Sequence, residues 1–244
     1  MNFKSLIKPI LGIFLLLSLF WGAIFFTDHR ISVSAFDVNS FQKRGYTKDE
    51  IALFGDIAFR EGNRLRKWET DIKVEIKNIN ALSPRDIADV DSCIAILAPL
   101  VLPLKMTRVS SDGNLLVYMG QDKLPVGNGR GLGYTDMNRI LFFTNCSIRK
   151  VSIYEVKYLN QKDVLIHEFE HAIGLSHASK PYSFRLTMSG PECPAKFKSI
   201  DELDKYLDIR FPISDQEKKV IKMLYSSDFK SGLNRNAFNK LILQ

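Results

Sequence analysis

Residues 161–177, Gln-Lys-Asp-Val-Leu-Ile-His-Glu-Phe-Glu-His-Ala-Ile-Gly-Leu-Ser-His, constrain this chain more than any other stretch. The chain holds four histidines, and His167, His171 and His177 all stand here. On an α-helix, positions i and i+4 share a face, so His167 and His171 offer their imidazoles to one point. Glu168 is turned from His167 by about 100°, beside that point, where it can act on a bound water. Gly174 is the expected end of the helix, because glycine tolerates the left-handed C-cap geometry. The chain can then turn and bring His177 back as a third ligand. Three neutral imidazoles leave a fourth, open position on a tetrahedral zinc, which is the arrangement of a catalytic rather than a structural site. Leu165, Phe169, Ala172 and Ile173 face away from the histidines and predict a helix packed into the core. Asn160 is the expected N-cap, with Asp163 near the positive helix start.

The stretch reads H-E-x-x-H-x-x-G-x-x-H, and it resembles the signature of the metzincin zinc endopeptidases. Five fixed positions at ~1/20 each make a chance match in a chain of this length rare, on the order of 1 in 10⁴. The closest resemblance is to the matrixin branch, whose motif runs His-Glu-Phe-Gly-His-Ala-Leu-Gly-Leu-Asp-His. Glu170 departs from it in place of a glycine, and Ser176 in place of an aspartate. The stretch from His177 to Met188 is also slightly long. Ser214-Asp215-Gln216-Glu217, followed by Ile221, Leu224 and Tyr225, resembles the C-terminal helix of matrixins. Together the two resemblances cover roughly 160–226; upstream there is only a compatible order of elements.

The resemblance implies an α+β, metzincin-like (zincin) domain. It would have a twisted mixed β-sheet with packed helices, an active-site helix and a small C-terminal helical subdomain, preceded by one N-terminal hydrophobic helix. It further implies one catalytic zinc ion on His167, His171 and His177, with Glu168 as general base for hydrolysis of a protein or peptide substrate. A Met-turn would lie at 186–190, with Met188 as a packing floor under the metal; Gly190 stands where some metzincins carry a tyrosine ligand. The specificity pocket would fall within 178–198. Matrixins hold calcium in their loops. Here only Asp122 and Asp136 lie near the glycine-rich stretch 120–133, and calcium prefers six or more oxygens, so calcium is not supported. The cysteine motif of matrixin pro-segments is absent. Glu170 has three readings: it orients a ligand, pairs with an arginine, or, by default, faces solvent at the cleft rim.

The N-terminus sets the compartment. Lys4 and Lys8 precede an uncharged apolar run from Ile10 to Phe26. That run exceeds the roughly 7–15 residues of a cleaved signal region and falls short of the ~20 of a spanning helix. Val33-Ser34-Ala35 would serve for cleavage but lies far beyond the run, so an uncleaved signal-anchor is favoured. Lysines before the span place the downstream domain outside the cytoplasm. The expected result is a membrane-anchored extracytoplasmic domain, or a secreted or periplasmic one if the segment is cleaved. Cys93, Cys146 and Cys193 allow at most one internal disulfide. Residues 1–35 form the anchor or signal peptide, 36–46 a linker, 47–230 the domain and 231–244 a C-terminal tail.

Local signals fill in the domain. Thr47 and Glu50 form a capping box opening a helix over 48–66. Its run of Arg60, Arg64, Arg66 and Lys67 reads as a solvated face, and no nucleic-acid motif accompanies it. Ile72, Val74 and Ile76 alternate as a half-exposed strand. Ser83-Pro84 opens a helix through about Leu97. Met106–Ser110 and Leu115–Met119 flank Asp112-Gly113, a hairpin signal. A strand is expected over 139–144 and short helices over 199–207 and from 215. In metzincins the strand before the zinc helix borders the cleft, where an extended peptide could add to a sheet edge.

Two other classes compete. A structural zinc domain would not need Glu168. A membrane-tethered, catalytically silent zinc-binding or protein-interaction domain of the same fold could use the net charge of +7 on anionic partners.

Overall fold

The computed structural model describes residues 12–19, 44–59, 63–121, 133–137, 147–148, 150–156, 162–178 and 213–242. The expected N-cap Asn160, the strand over 139–144, the Met-turn at Met188, the helix over 199–207, Cys146 and Cys193 lie outside these residues. Residues 12–19, inside the N-terminal apolar run, are helical and exposed. Among the described residues no helix is long and apolar enough to cross a membrane.

The domain opens with α1, Lys48–Ile57, and its capping box is formed: Glu50 N donates to Thr47 Oγ1 at 3.2 Å, and Thr47 N donates to Glu50 Oε2 at 2.8 Å. The helix stops well short of residue 66. Asn63 takes a left-handed φ of 55°, Arg64 bridges to Asn234, and Leu65 N donates to Leu233 O at 2.9 Å. The backbone groups that would have extended the helix are spent on a segment far away in sequence. Two-residue β1, Lys67–Trp68, follows, and then β2, Ile72–Ile76. The helix α2, Pro84–Leu97, starts at the Ser83-Pro84 cap as expected and fully buries Cys93.

The next two strands, β3 (Met106–Val109) and β4 (Leu115–Gln121), do not form a hairpin. Each pairs in parallel with β2, on opposite sides, so the chain between them crosses over β2. Gly113 sits at the crossing: a Cβ there would lie 2.4 Å from Glu75 Cβ and 3.0 Å from Lys73 O. Asp112 has φ 57°, and Asn114 binds the strand beneath, accepting from Lys73 N at 2.7 Å and donating to Asp71 O at 2.8 Å. The Asp-Gly pair is used for its backbone freedom, but in a close crossover rather than a tight turn.

Three further strands, β5 (Gly133–Met137), β6 (Ser147–Ile148) and β7 (Val151–Val156), precede the histidine helix α3, Lys162–Ala172. The main sheet is mixed and five-stranded in the order β3-β2-β4-β7-β5. Its first four strands are parallel, and β5, antiparallel, is the edge among the described strands. Ile72, Val74, Leu115, Val117, Val151 and Ile153 are all buried on one face. Against the sheet lie α2, on β3, and α3, on β5 and β7.

The C-terminal part comprises α4, Asp215–Leu224, with its Ser214/Glu217 capping box formed, and α5, Arg235–Ile242. The domain therefore continues past residue 230, and the stretch expected to be a tail is packed structure. Phe238 is fully buried, with ring centroids 5.4 Å from Phe54 and 5.0 Å from Phe59, while Phe229 stacks on Phe54 at 4.7 Å. The bidentate pair of Arg44 with Asp228 joins the two ends of the domain.

Removing one ring from such a cluster costs about 3–5 kcal/mol. Phe238→Ala should lower the denaturation free energy by that amount in a urea titration. A loss below roughly 1 kcal/mol, the level of an exposed tail residue, would contradict the packing.

Candidate metal centre

The helix α3 is buried on almost every side. Leu165, Ile166, Phe169, Ala172 and Ile173 are at most 1% exposed, which bears out the expected core face. His167 and His171 remain partly exposed on the side turned from it.

Every carbonyl of the last helical turn has a donor. Leu175 N donates to Glu170 O at 3.0 Å and Gly174 N to His171 O at 2.9 Å, the two bonds of a Schellman motif. Trp68 Nε1 donates to Ala172 O and Tyr225 Oη to Ile173 O, both at 2.9 Å. Burial pushes the Tyr225 phenol up, so it stays a protonated donor. Gly174 takes φ 112°, and a Cβ there would stand 2.1 Å from Arg66 O. Glycine is required twice over, by conformation and by the approach of another backbone. Ser176 N then donates to Ile57 O at 2.8 Å, so the end of α1 fixes the loop that returns His177.

The His171 ring stands nearly perpendicular to the His167 and His177 rings, which stack on each other with centroids 4.9 Å apart. His177 Nε2 lies 2.9 Å from His167 Nε2 and 3.2 Å from His171 Nε2. His171 Nδ1 lies 2.9 Å from Leu175 O. A carbonyl only accepts, so Nδ1 carries the proton and His171 Nε2 presents a lone pair to the other two rings. Ring nitrogens this close share either a proton or a cation between them. The group His167, His171 and His177 could hold a metal ion.

Glu168 is 5% exposed. Desolvation pushes its carboxyl up to about 7, against the opposing pull of a hydrogen bond from Thr135. Thr135, in the edge strand β5, has its hydroxyl within bonding distance of Glu168 Oε2 and 3.0 Å from Glu168 O. Glu170 is fully buried, which overturns its default reading as a solvent-facing residue at the rim. Its side of the helix, shared with Ile166 and Gly174, packs inward.

Sequence reasoning missed Thr135 and Trp68. Thr135 is brought to Glu168 by the register of an edge strand, Thr135 opposite Ile153, and no local pattern marks that register. Trp68 sits among charged residues in a two-residue strand, with no signal of its role. Tyr225 was visible as a helix residue but not as a cap for α3.

Gly174→Ala should cost at least about 2 kcal/mol, from strain alone, and should weaken metal binding by displacing His177. Denaturation and metal titration of the variant check both; wild-type values for both would contradict the approach to Arg66. For Glu168 the sign follows from burial. Its carboxyl ionises near 4.5 when unfolded and near 7 when folded, so folding is unpenalised below about pH 4.5 and loses stability as pH rises to about 7. The full cost, roughly 3 kcal/mol, persists above that. In chelator-treated protein, Glu168→Gln should flatten the decline in stability between about pH 5 and 8. Parallel curves would show that the carboxyl is not its source. No protein-family model matches the chain and no curated protein matches it significantly, so the reading of this centre rests on its own geometry.

Proposed function

We propose that the chain is a zinc-dependent endopeptidase with a metzincin-like fold. The observation that carries this reading is the convergence of three imidazole Nε2 atoms beside a buried glutamate on the same helix. Tetrahedral zinc bonded at about 2.0–2.1 Å needs ligand nitrogens about 3.3 Å apart, close to the 2.9 and 3.2 Å separations here. A donor set of neutral imidazoles, one oriented by a carbonyl, suits that ion. When bound, zinc supplies Lewis acidity for a water and for the scissile carbonyl.

The chain's own residues do the rest. Glu168 takes a proton from the attacking water as its oxygen bonds to the peptide carbonyl carbon. It returns that proton to the amine nitrogen as the C–N bond breaks, so one water is consumed per bond cleaved. Burial raises the Glu168 carboxyl in the metal-free chain, toward the range in which a carboxyl can both take and return a proton. As the edge of the sheet among the described strands, β5 offers an extended peptide a strand to pair with, one that leads past Glu168. The basic N-terminus and apolar run support an anchored domain outside the cytoplasm.

The test is cleavage of a diverse peptide library by the full chain with zinc supplied. Wild type should cleave and bind one zinc per chain. Glu168→Ala should keep the zinc and lose about 10²–10⁴-fold in kcat/KM, and His171→Ala should lose both. Zinc binding without cleavage by wild type would favour the silent binding domain.

A further inference from the structure

The layer between β5 and α3 is apolar, built on Ile153, Leu165 and Phe169, all fully buried. Thr135 enters it from the sheet side, half-buried, and spans to Glu168 on the helix. Packing alone would be served by a valine of nearly the same shape; a hydroxyl in such a layer costs free energy unless it is bonded. Its partners are both on one residue, the carboxylate and the main-chain carbonyl of Glu168.

We propose that Thr135 is a positioning residue for Glu168, its hydroxyl holding Oε2 and with it the plane of the carboxyl. This rests on the reading of Glu168 as general base. A hydroxyl has one proton and two lone pairs. With Glu168 ionised, Thr135 donates to Oε2. With Glu168 protonated at Oε1, the same bond stands and the carboxyl keeps its plane. If the proton moves to Oε2, it is donated to Thr135 Oγ1, and the threonine turns its own proton to Glu168 O at 3.0 Å. Each arrangement leaves the threonine satisfied, so the carboxyl is held through the whole cycle. The Thr135 hydroxyl acts on the reaction through Glu168.

Full-length wild type, Thr135→Val, Thr135→Ser, Glu168→Ala and the Thr135→Val/Glu168→Ala double variant test this. Thr135→Val should bind zinc within about twofold of wild type and keep KM within about threefold, while kcat falls by roughly 10–100-fold, the scale of a misplaced group. Thr135→Ser, which keeps the hydroxyl, should restore kcat to within about threefold. Denaturation of the same set gives a readout independent of turnover. Thr135→Val should reduce the folding equilibrium constant at least about fivefold more in the wild-type background than in Glu168→Ala. Equal kcat for the valine and serine variants would overturn the proposal, and so would additive effects on folding. A wild type that never turns over would sink the peptidase reading alone, because the coupling in folding still decides whether Thr135 holds Glu168.

Discussion

The structure depends on how the end of α3 is closed. A helix that ends inside a protein leaves carbonyls that water cannot reach, and each one without a donor costs about 1–3 kcal/mol. Here the chain supplies two donors from its own reversal at Gly174 and two from outside, Trp68 and Tyr225. The external donors come from opposite ends of the domain in sequence, and Trp68 N lies 3.4 Å from Tyr225 Oη, so they brace each other. Lys67 extends the pattern: its buried ammonium donates to Leu224 O and Ser226 O at the end of α4. One two-residue strand thus satisfies the ends of two helices.

That closure permits the histidine helix to be buried with two carboxylates in it. Leu165, Ile166, Phe169 and Ile173 are essentially inaccessible, and each contributes on the order of 1.5–3 kcal/mol as an upper estimate. Their sum outweighs the roughly 3 kcal/mol for an ionised Glu168. Packing therefore wins over electrostatics, and the helix can carry a group at odds with its surroundings. Such a group is what proton transfer near neutrality requires.

What could be read in advance was local. The capping boxes at Thr47 and Ser214 and the Ser83-Pro84 cap each marked the start of a helix, because a cap is a contact within four residues. The spacing of His167, His171 and His177 named the centre, because helix geometry and one glycine set it. What could not be read was set at long range. The Asp112-Gly113 pair demands an unusual backbone, but only the position of β2 decides that the demand is for a crossover. The end of α1 is dictated by pairing of 64–65 with 232–234, and Phe238 is core because Phe54 and Phe59 wait for it. The hydroxyl of Thr135 matters through a strand register that its neighbours do not encode.

The packing of α5 on α1 has a consequence in time. The loop carrying His177 is held by Ile57 O, at the end of α1, and α1 is seated against Phe238, far beyond His177 in sequence. A chain made from its N-terminus onward carries all three histidines long before it carries the residue that completes their support. Contacts that span nearly the whole domain form late, because the loop they close must be brought together first. The order of synthesis therefore separates the histidines from their support: α5 is made after them and must dock before α1, which holds their loop at Ile57 O, is fully seated.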